Sequence, residues 1–324
     1  MPHVIIAGSI HASGLETLKR RSDFTFEYLV ESTDNSYVKY LVKADALILR
    51  TQPLLRKDIE TAVNLKIVSR HGVGYDAVDV DALSAQSIPL TIVGDVNSQS
   101  VAEHSITLLL AATKRLIKND SAARSGSWDY KNKLEPEEIS GKKLLILGFG
   151  RVGQRLAKIA NAFSMQISIF DPFLDTNSIS ESSVYRVTDL DMALSAADYI
   201  SINMPAPEKP ILNAREFKLM RDGVVIVNTA RGGIINENDM IKALESGKIG
   251  AAGLDVFNDE PPTSKSPFAD FSQVVLTPHV AGLTREAAEG MAVSSVQNVI
   301  DYFDRNLDSK LIVNKESLRK NGHS

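Results

Sequence analysis

The run Leu144-Leu145-Ile146-Leu147-Gly148-Phe149-Gly150-Arg151-Val152-Gly153 constrains the fold more than any other stretch of the chain. Four apolar residues, too few for a helix, end in a Gly-x-Gly-x-x-Gly turn. Residues 154–163 then read as a helix with Leu156, Ile159, Ala160 and Phe163 on one face. Strand, glycine turn and helix in that order are the setting in which this motif holds a dinucleotide. Gly148 permits the tight turn, Gly150 lets the backbone approach a pyrophosphate, and Gly153 lets the helix pack on the strand. Phe149, Arg151 and Val152 complete the turn, and the helix N-terminus offers unpaired N–H groups to phosphate oxygens. A second apolar strand, 166–170, ends at Asp171, near the spacing of about 20 residues at which an acidic group holds the ribose hydroxyls. A bare glycine turn would be an ordinary βα connection; with strand, helix and Asp171 in place it points to a dinucleotide. Pro172-Phe173 follow Asp171 with no arginine to receive a 2′-phosphate, so NAD is expected rather than NADP.

The 324 residues exceed one typical domain, and two cores are expected. Strand patterns at 4–7, 25–30, 46–49, 65–68 and 90–93 alternate with helical patterns at 13–21, 37–43, 57–63 and 79–85. Repeated βα units predict a mostly parallel sheet with helices on both faces, an α/β fold. This first unit lacks the glycine turn, since His11 and Ser13 stand where glycines would be needed. From Gly141 a second unit follows, with strands at 144–147, 167–170, 184–187, 199–203, 224–228, 251–254 and 274–276, and helices at 189–195, 214–219 and 237–246. A closing helix is expected at 291–303, then a polar tail with Asn321-Gly322-His323. Between the units a long helix is expected at 100–117, with Glu103 and His104 near its start, followed by a polar arm at 118–142. Glu103 suits a helix N-terminus. The arm carries Trp128, the only tryptophan, and is expected to pack against something.

Composition narrows the chemistry. A net charge of −4 with no basic cluster speaks against nucleic acid. The absence of cysteine excludes disulfides, thiolate metal sites and cysteine nucleophiles, and no metal is expected. The N-terminus lacks the pattern of a signal peptide and no run of 18 apolar residues exists, so a cytoplasmic protein without membrane contact is expected.

Three loops follow strand ends of the second unit: Asn228-Thr229-Ala230-Arg231-Gly232-Gly233, Asp255 to Pro262, and Thr277-Pro278-His279-Val280-Ala281-Gly282. All lie at strand carboxyl ends, the edge on which the glycine turn opens, so an arginine, a carboxylate and a histidine converge there. Reducing a 2-oxo acid needs a hydride at the carbonyl carbon and a proton at its oxygen. His279 suits the proton, Glu260 would orient its ring and raise its pKa, and Arg231 can grip a substrate carboxylate with a two-pronged fork. In the first unit, Arg50-Thr51 and Arg70-His71-Gly72-Val73-Gly74 also follow strands. Arg50 reads either as a surface ion-pair partner or as a ligand group, and the two glycines either as a plain turn or as a nest for an anion.

At these residues the chain resembles the D-isomer-specific 2-hydroxyacid dehydrogenases. The resemblance rests on the glycine turn, Asn228 to Gly233, Leu254-Asp255-Val256-Phe257 with Glu260-Pro261, Pro278-His279, Val101-Ala102-Glu103-His104 and Gly72 to Asp76, and covers nearly the whole chain. It implies that Arg231 binds substrate, that Glu260 partners His279 and that His279 is the acid–base group. It further implies that Asp255 holds the nicotinamide carboxamide and that the Val73-Gly74 backbone holds the substrate carboxylate. Pro205, Thr229, Ala230 and Gly282 complete the cofactor contacts expected on this basis. The implied architecture is two doubly wound domains, a Rossmann-type domain at 100–291 inserted in a flavodoxin-like substrate domain at 1–99 and 292–324. A homodimer built through 100–142 is implied as well. Residues 203–210 lack the threonine usual in the family's corresponding loop and form a slightly shorter one, which touches only the adenine-side contacts. Arg50 resembles the arginine that binds a second anionic group in phosphoglycerate dehydrogenases; glyoxylate and hydroxypyruvate reductases are the alternative, and Glu260 argues against a formate dehydrogenase. A reading of another class, an NAD(H)-sensing corepressor-like protein, shares the same residues.

Overall fold

In the computed structural model, described for residues 1–30, 36–174 and 184–320, the chain divides into two units, 1–97 with 283–324 and 98–282. The first unit holds β1 (His3–Ala7), α1 (Ala12–Lys19), β2 (Thr25–Leu29), β3 (Ala46–Leu49), α2 (Arg56–Thr61), β4 (Ile67–Arg70), α3 (Val80–Ala85) and β5 (Leu90–Thr91). All five strands are parallel, in the order β2-β1-β3-β4-β5, the flavodoxin-like arrangement. β3 reads Ala-Leu-Ile-Leu because it is buried on both faces, as central parallel strands are. Strand β4 runs two residues later than the expected 65–68. Leu65 closes the preceding turn, its N–H donating to Ala62 O, so Arg70 pairs with Leu49 inside the sheet rather than beyond it.

The second unit opens with α4 (Ser98–Thr113) and α5 (Leu116–Arg124), then runs β6 (Lys143–Leu147), α6 (Arg151–Ala162), β7 (Gln166–Phe170), β8 (Val184–Arg186), α7 (Leu190–Ala196), β9 (Tyr199–Ile202), α8 (Ala214–Leu219), β10 (Val224–Asn228), α9 (Glu237–Glu245), β11 (Ile249–Leu254) and β12 (Val274–Leu276). Its seven strands are parallel, in the order β12-β11-β10-β9-β6-β7-β8. This is the Rossmann order with one strand added, and its direction reverses between β6 and β9. One apolar layer, with Leu145, Leu147, Ile226 and Phe268, lies on one face; the other, with Leu144, Ile146, Leu156 and Leu109 of α4, lies on the opposite face.

The single helix expected at 100–117 is two. Arg115 takes a left-handed conformation, φ +49°, and its guanidinium donates to Gly250 O at 3.1 Å, so the chain turns between α4 and α5. A break at a residue other than glycine leaves no mark in apolar spacing. Much of the expected polar arm is therefore ordered as α5 and a 3-10 turn, Trp128–Lys133. Among the described residues no helix is long and apolar enough to cross a membrane.

The chain returns to the first unit at residue 283, earlier than the expected 292, and leaves it at 97 rather than 99. The whole of α10 (Arg285–Phe303), capped by Thr284, therefore belongs to that unit, as does α11 (Lys315–Lys320). The tail 321–324, including Asn321, Gly322 and His323, lies outside the described residues. Polar side chains sew the return segment to the first sheet. The Asn298 amide donates to Thr91 and Ile92, and Ser69 donates to Ser295 O. Buried Asn314 accepts from Leu90 N at 3.0 Å and donates to Ile88 O at 2.9 Å and Ser84 Oγ at 3.1 Å. Asn314→Leu takes from buried Leu90 N and Ile88 O the amide that pairs with them, so urea unfolding followed by far-UV circular dichroism should show a loss of about 1–3 kcal/mol. A midpoint equal to that of the unsubstituted chain would show that the bonds contribute nothing net.

Candidate active site

The glycine turn follows β6 at the point where the strand order reverses. Gly148 has φ +90°, and a Cβ there would lie 2.7 Å from Asn203 O at the end of neighbouring β9. A Cβ on Gly153 would lie 2.3 Å from Gly148 O, so the first turn of α6 sits directly on the loop. Gly150 is the N-cap of α6 and supplies no side-chain cap, and an added Cβ there would meet nothing within 4 Å. The helix therefore presents uncapped N–H groups toward open space, which fits a pyrophosphate. The Phe149 ring is buried in the core, leaving its backbone to the turn, while Arg151 is exposed and Val152 half-buried. Asp171 stands at the end of β7 beside the turn; its carboxylate accepts from Phe149 N and Phe173 N, each at 2.9 Å. These residues fit a dinucleotide. Pro205 is exposed in the segment after β9.

Beyond β10, buried Asn228 shapes the Arg231 loop: its Oδ1 accepts from Ala230 N at 3.0 Å and its Nδ2 donates to Arg231 O at 2.7 Å. Half-buried Arg231 donates through Nη1 to Ala230 O at 2.6 Å. Thr229 is buried, its hydroxyl 2.7 Å from Ser105 of α4. Because Ser105 gives its own proton to Val101 O, Thr229 is the donor of that pair. Gly232 is forced by packing, since a Cβ would fall 2.1 Å from the Phe257 carbonyl in the loop after β11.

That second loop carries Glu260. One carboxylate oxygen accepts from Phe257 N at 2.7 Å, and the other lies 2.5 Å from His279 Nδ1. The loop is further held by Glu237 at the start of α9, which accepts from Asn258 N at 2.8 Å. Burial, with the nearby charges of Asp259 and Glu260, lifts the Glu237 pKa against that hydrogen bond. A carboxylate only accepts, so the Nδ1 of His279 carries the proton toward Glu260 and Nε2 is left for a ligand. The hydrogen bond to Glu260 raises the His279 pKa against desolvation, helped by the charges of Glu260 and Asp255 and opposed by that of Arg231. Burial works to raise the pKa of Glu260, but the bonds from His279 and Phe257 N and the charges of His279 and Arg231 hold it below the usual carboxylate range. The side chains of His279 and Glu260 are 51% and 30% exposed, so the pair is open to a ligand.

His279 has φ +53°, a strained value for a side chain of this size. What holds it there is Asp255, fully buried. The Asp255 carbonyl accepts from His279 N at 2.8 Å, and its carboxylate accepts from Val280 N and Ala281 N, each at 2.9 Å, and from Thr277 Oγ1 at 2.6 Å. Gly282 follows directly. The second unit thus brings together Arg231, Glu260, Asp255 and His279, the glycine turn and Asp171. Sequence alone shows no sign that Asn228, Ser105 and Thr277 support these loops, and it assigns His104 no role, because the partners of Ser105, Thr277 and His104 lie in other parts of the chain.

Arg50, Val73 and Gly74 belong to the first unit. There Arg50 directly follows β3, its N–H donating to Ala7 O at 3.1 Å, and a Cβ on Gly8, the next residue after β1, would lie 2.9 Å from Arg50 Cβ. Arg50 therefore stands at the reversal of strand order of its own sheet. His71 follows β4, buried, its pKa pushed down to about 4 by burial and by the charges of Arg50 and Arg70. Gly72 has φ +149° and leads into Val73 and Gly74, both half-buried.

With this geometry, residues 106–281 match the family profile described as D-isomer specific 2-hydroxyacid dehydrogenase, NAD binding domain. The chain is 32% identical over 301 residues to a D-3-phosphoglycerate dehydrogenase of Archaeoglobus fulgidus, covering 92% of this chain and 56% of that protein. It is 34% identical over 331 residues to a glyoxylate reductase of Pyrococcus furiosus, covering 98% and 97%. The chain spans about half the length of the phosphoglycerate dehydrogenases it matches and nearly all of this reductase. Among solved structures, the NAD-dependent formate dehydrogenase of Staphylococcus aureus in complex with NAD superposes with a TM-score of 0.86 at 26% identity, covering 97% of this chain and 99% of that one.

Glu260→Gln keeps the shape of the pair and removes its charge. The His279 pKa should then fall toward the ordinary imidazole value, read by NMR titration of the ring nitrogens; a pKa held at its raised value would dismiss Glu260 as the cause.

Proposed function

The chain belongs to the D-isomer-specific 2-hydroxyacid dehydrogenase family, and on that premise we propose that it interconverts a small 2-hydroxy acid and its 2-oxo acid with NAD(H). The observation that carries this reading is the 2.5 Å contact between His279 Nδ1 and Glu260, with Arg231 on the neighbouring loop. Bound NAD(H) would supply or accept the hydride at C2 of the substrate. In the reducing direction Arg231 binds the substrate carboxylate and polarises the carbonyl, and His279 gives the proton on Nε2 to the forming hydroxyl. Glu260 keeps the ring oriented and favours the imidazolium before transfer. In the oxidising direction neutral His279 takes the proton back. Asp171, with no arginine at Pro172 or Phe173, supports NAD over NADP through repulsion of a 2′-phosphate.

The substrate reading is a 3-phosphoglycerate or hydroxypyruvate type. Arg50 at the carboxyl end of β3 favours an acid with a second anionic group, and the Val73-Gly74 backbone would take its carboxylate. The relatives named glyoxylate reductase and hydroxypyruvate reductase keep the phosphate-free substrates as the second reading. A cytoplasmic location is part of the same proposal. A homodimer through α5 and its following turn is part of the proposal, supported by the outward Leu116, Ile117, Trp128 and Leu134; sedimentation as a monomer at micromolar concentration would remove it.

His279→Ala should lower kcat by roughly 10²-fold or more, with NADH binding little changed; an unaltered kcat removes His279 from the proton step. Glyoxylate, hydroxypyruvate, phosphohydroxypyruvate and pyruvate, each assayed with NADH and with NADPH, decide substrate and cofactor together. A higher kcat/KM with NADPH would overturn the cofactor reading. Tight NADH binding without turnover of any acid would favour a nucleotide sensor over an enzyme.

A further inference from the structure

The proposed reaction makes no use of His104, although this side chain is joined to the catalytic loop by a directional chain of hydrogen bonds. Its Nε2 lies 3.0 Å from Thr277 Oγ1, and Thr277 Oγ1 lies 2.6 Å from Asp255 Oδ1. A threonine hydroxyl has one proton, and the carboxylate can only accept it, so Oγ1 must receive from His104. That fixes the tautomer: His104 carries its proton on Nε2. Asp255, so bonded, holds the three consecutive N–H groups of His279, Val280 and Ala281, which keep His279 at φ +53°.

The His104 side chain is 20% exposed, and its Nε2 stands 3.6 Å from Asp255 Oδ1, close enough to brace the carboxylate through Thr277. Its neighbour on α4, Ser105, binds Thr229 in the Arg231 loop. One turn of α4 therefore grips the loops of both proposed substrate-binding side chains.

We propose that His104 is a positioning residue for His279, holding residues 279–281 in place through Thr277 and Asp255. The inference rests on the acid–base reading of His279. The groups that face His279 are Glu260 and Asp255, which raise its pKa, and Arg231, which lowers it. Loosening the chain at His104 draws the ring from both carboxylates, so its pKa falls.

The test compares His104→Phe, which keeps a ring and removes the donor, with His104→Gln, which keeps a donor amide at similar reach. In the full chain, kcat for reduction of the best 2-oxo acid should fall about 10- to 100-fold in His104→Phe, as misplacement of a catalytic group does. The alkaline limb of its pH profile should move to lower pH, and His104→Gln should recover most of the loss. NMR titration of the His279 ring in protein labelled with 15N-histidine reads the same shift without turnover, so it tests the relay even if no acid is reduced. If His104→Phe does not fold, Thr277→Val cuts the chain one link later and carries the same expectations. Wild-type titration of His279 in whichever of these two variants folds would overturn the proposal. So would equal loss in His104→Phe and His104→Gln with His279 unshifted, which would mark His104 as packing alone.

Discussion

A parallel sheet delivers the carboxyl end of every strand to one edge, and the second unit depends on this constraint throughout. Its seven strands bring the glycine turn, Asp171, Arg231, Glu260 and His279 to the same edge although about 130 residues of chain separate the first from the last. No long-range pairing of side chains is needed to assemble them. The apolar layers on the two faces fix the strands, and the strands fix where each loop begins. What the loops must still do is turn the functional groups the right way, and they do so through hydrogen bonds to buried neighbours: Asn228 for the Arg231 loop, Phe257 N for Glu260, Asp255 for His279.

The electrostatics of the site follow from that anchoring. Glu260 and His279 shift each other in opposite directions, carboxylate down and imidazole up, through the hydrogen bond they share and, less, through their opposite charges. Arg231 pulls the two the same way, stabilising the carboxylate and opposing the imidazolium. The histidine is thus poised between a neighbour that favours its charge and one that resists it, a balance that suits the proton transfer proposed for it.

Much of this was legible in the sequence. The strand, glycine turn and helix at 143–162 follow from apolar runs and glycines whose roles are local, and Gly148 and Gly153 do what their spacing implies. The loops after β10, β11 and β12 could be placed because each follows a buried run. The break at Arg115 could not be read, since it depends on a left-handed residue that is not glycine and on a bond to Gly250 far along the chain. The start of α10 at Arg285 was missed for a related reason: its first turn is polar, capped by Thr284, and carries little apolar period. The buried polar supports were equally hidden. Nothing in the local pattern of Ser105 or Thr277 tells that one meets Thr229 and the other Asp255, because those contacts exist only once α4 lies across the strand ends.

The approach of Gly232 to Phe257 has a consequence for how such a site can change. With 2.1 Å between a would-be Cβ and a backbone carbonyl, the loop bearing the arginine and the loop bearing the glutamate are interlocked at the main chain. Neither can be lengthened, shifted or transplanted from a relative without displacing the other. Variation, natural or engineered, would therefore have to exchange both loops as one cassette or leave both alone and work from surfaces that do not share this lock.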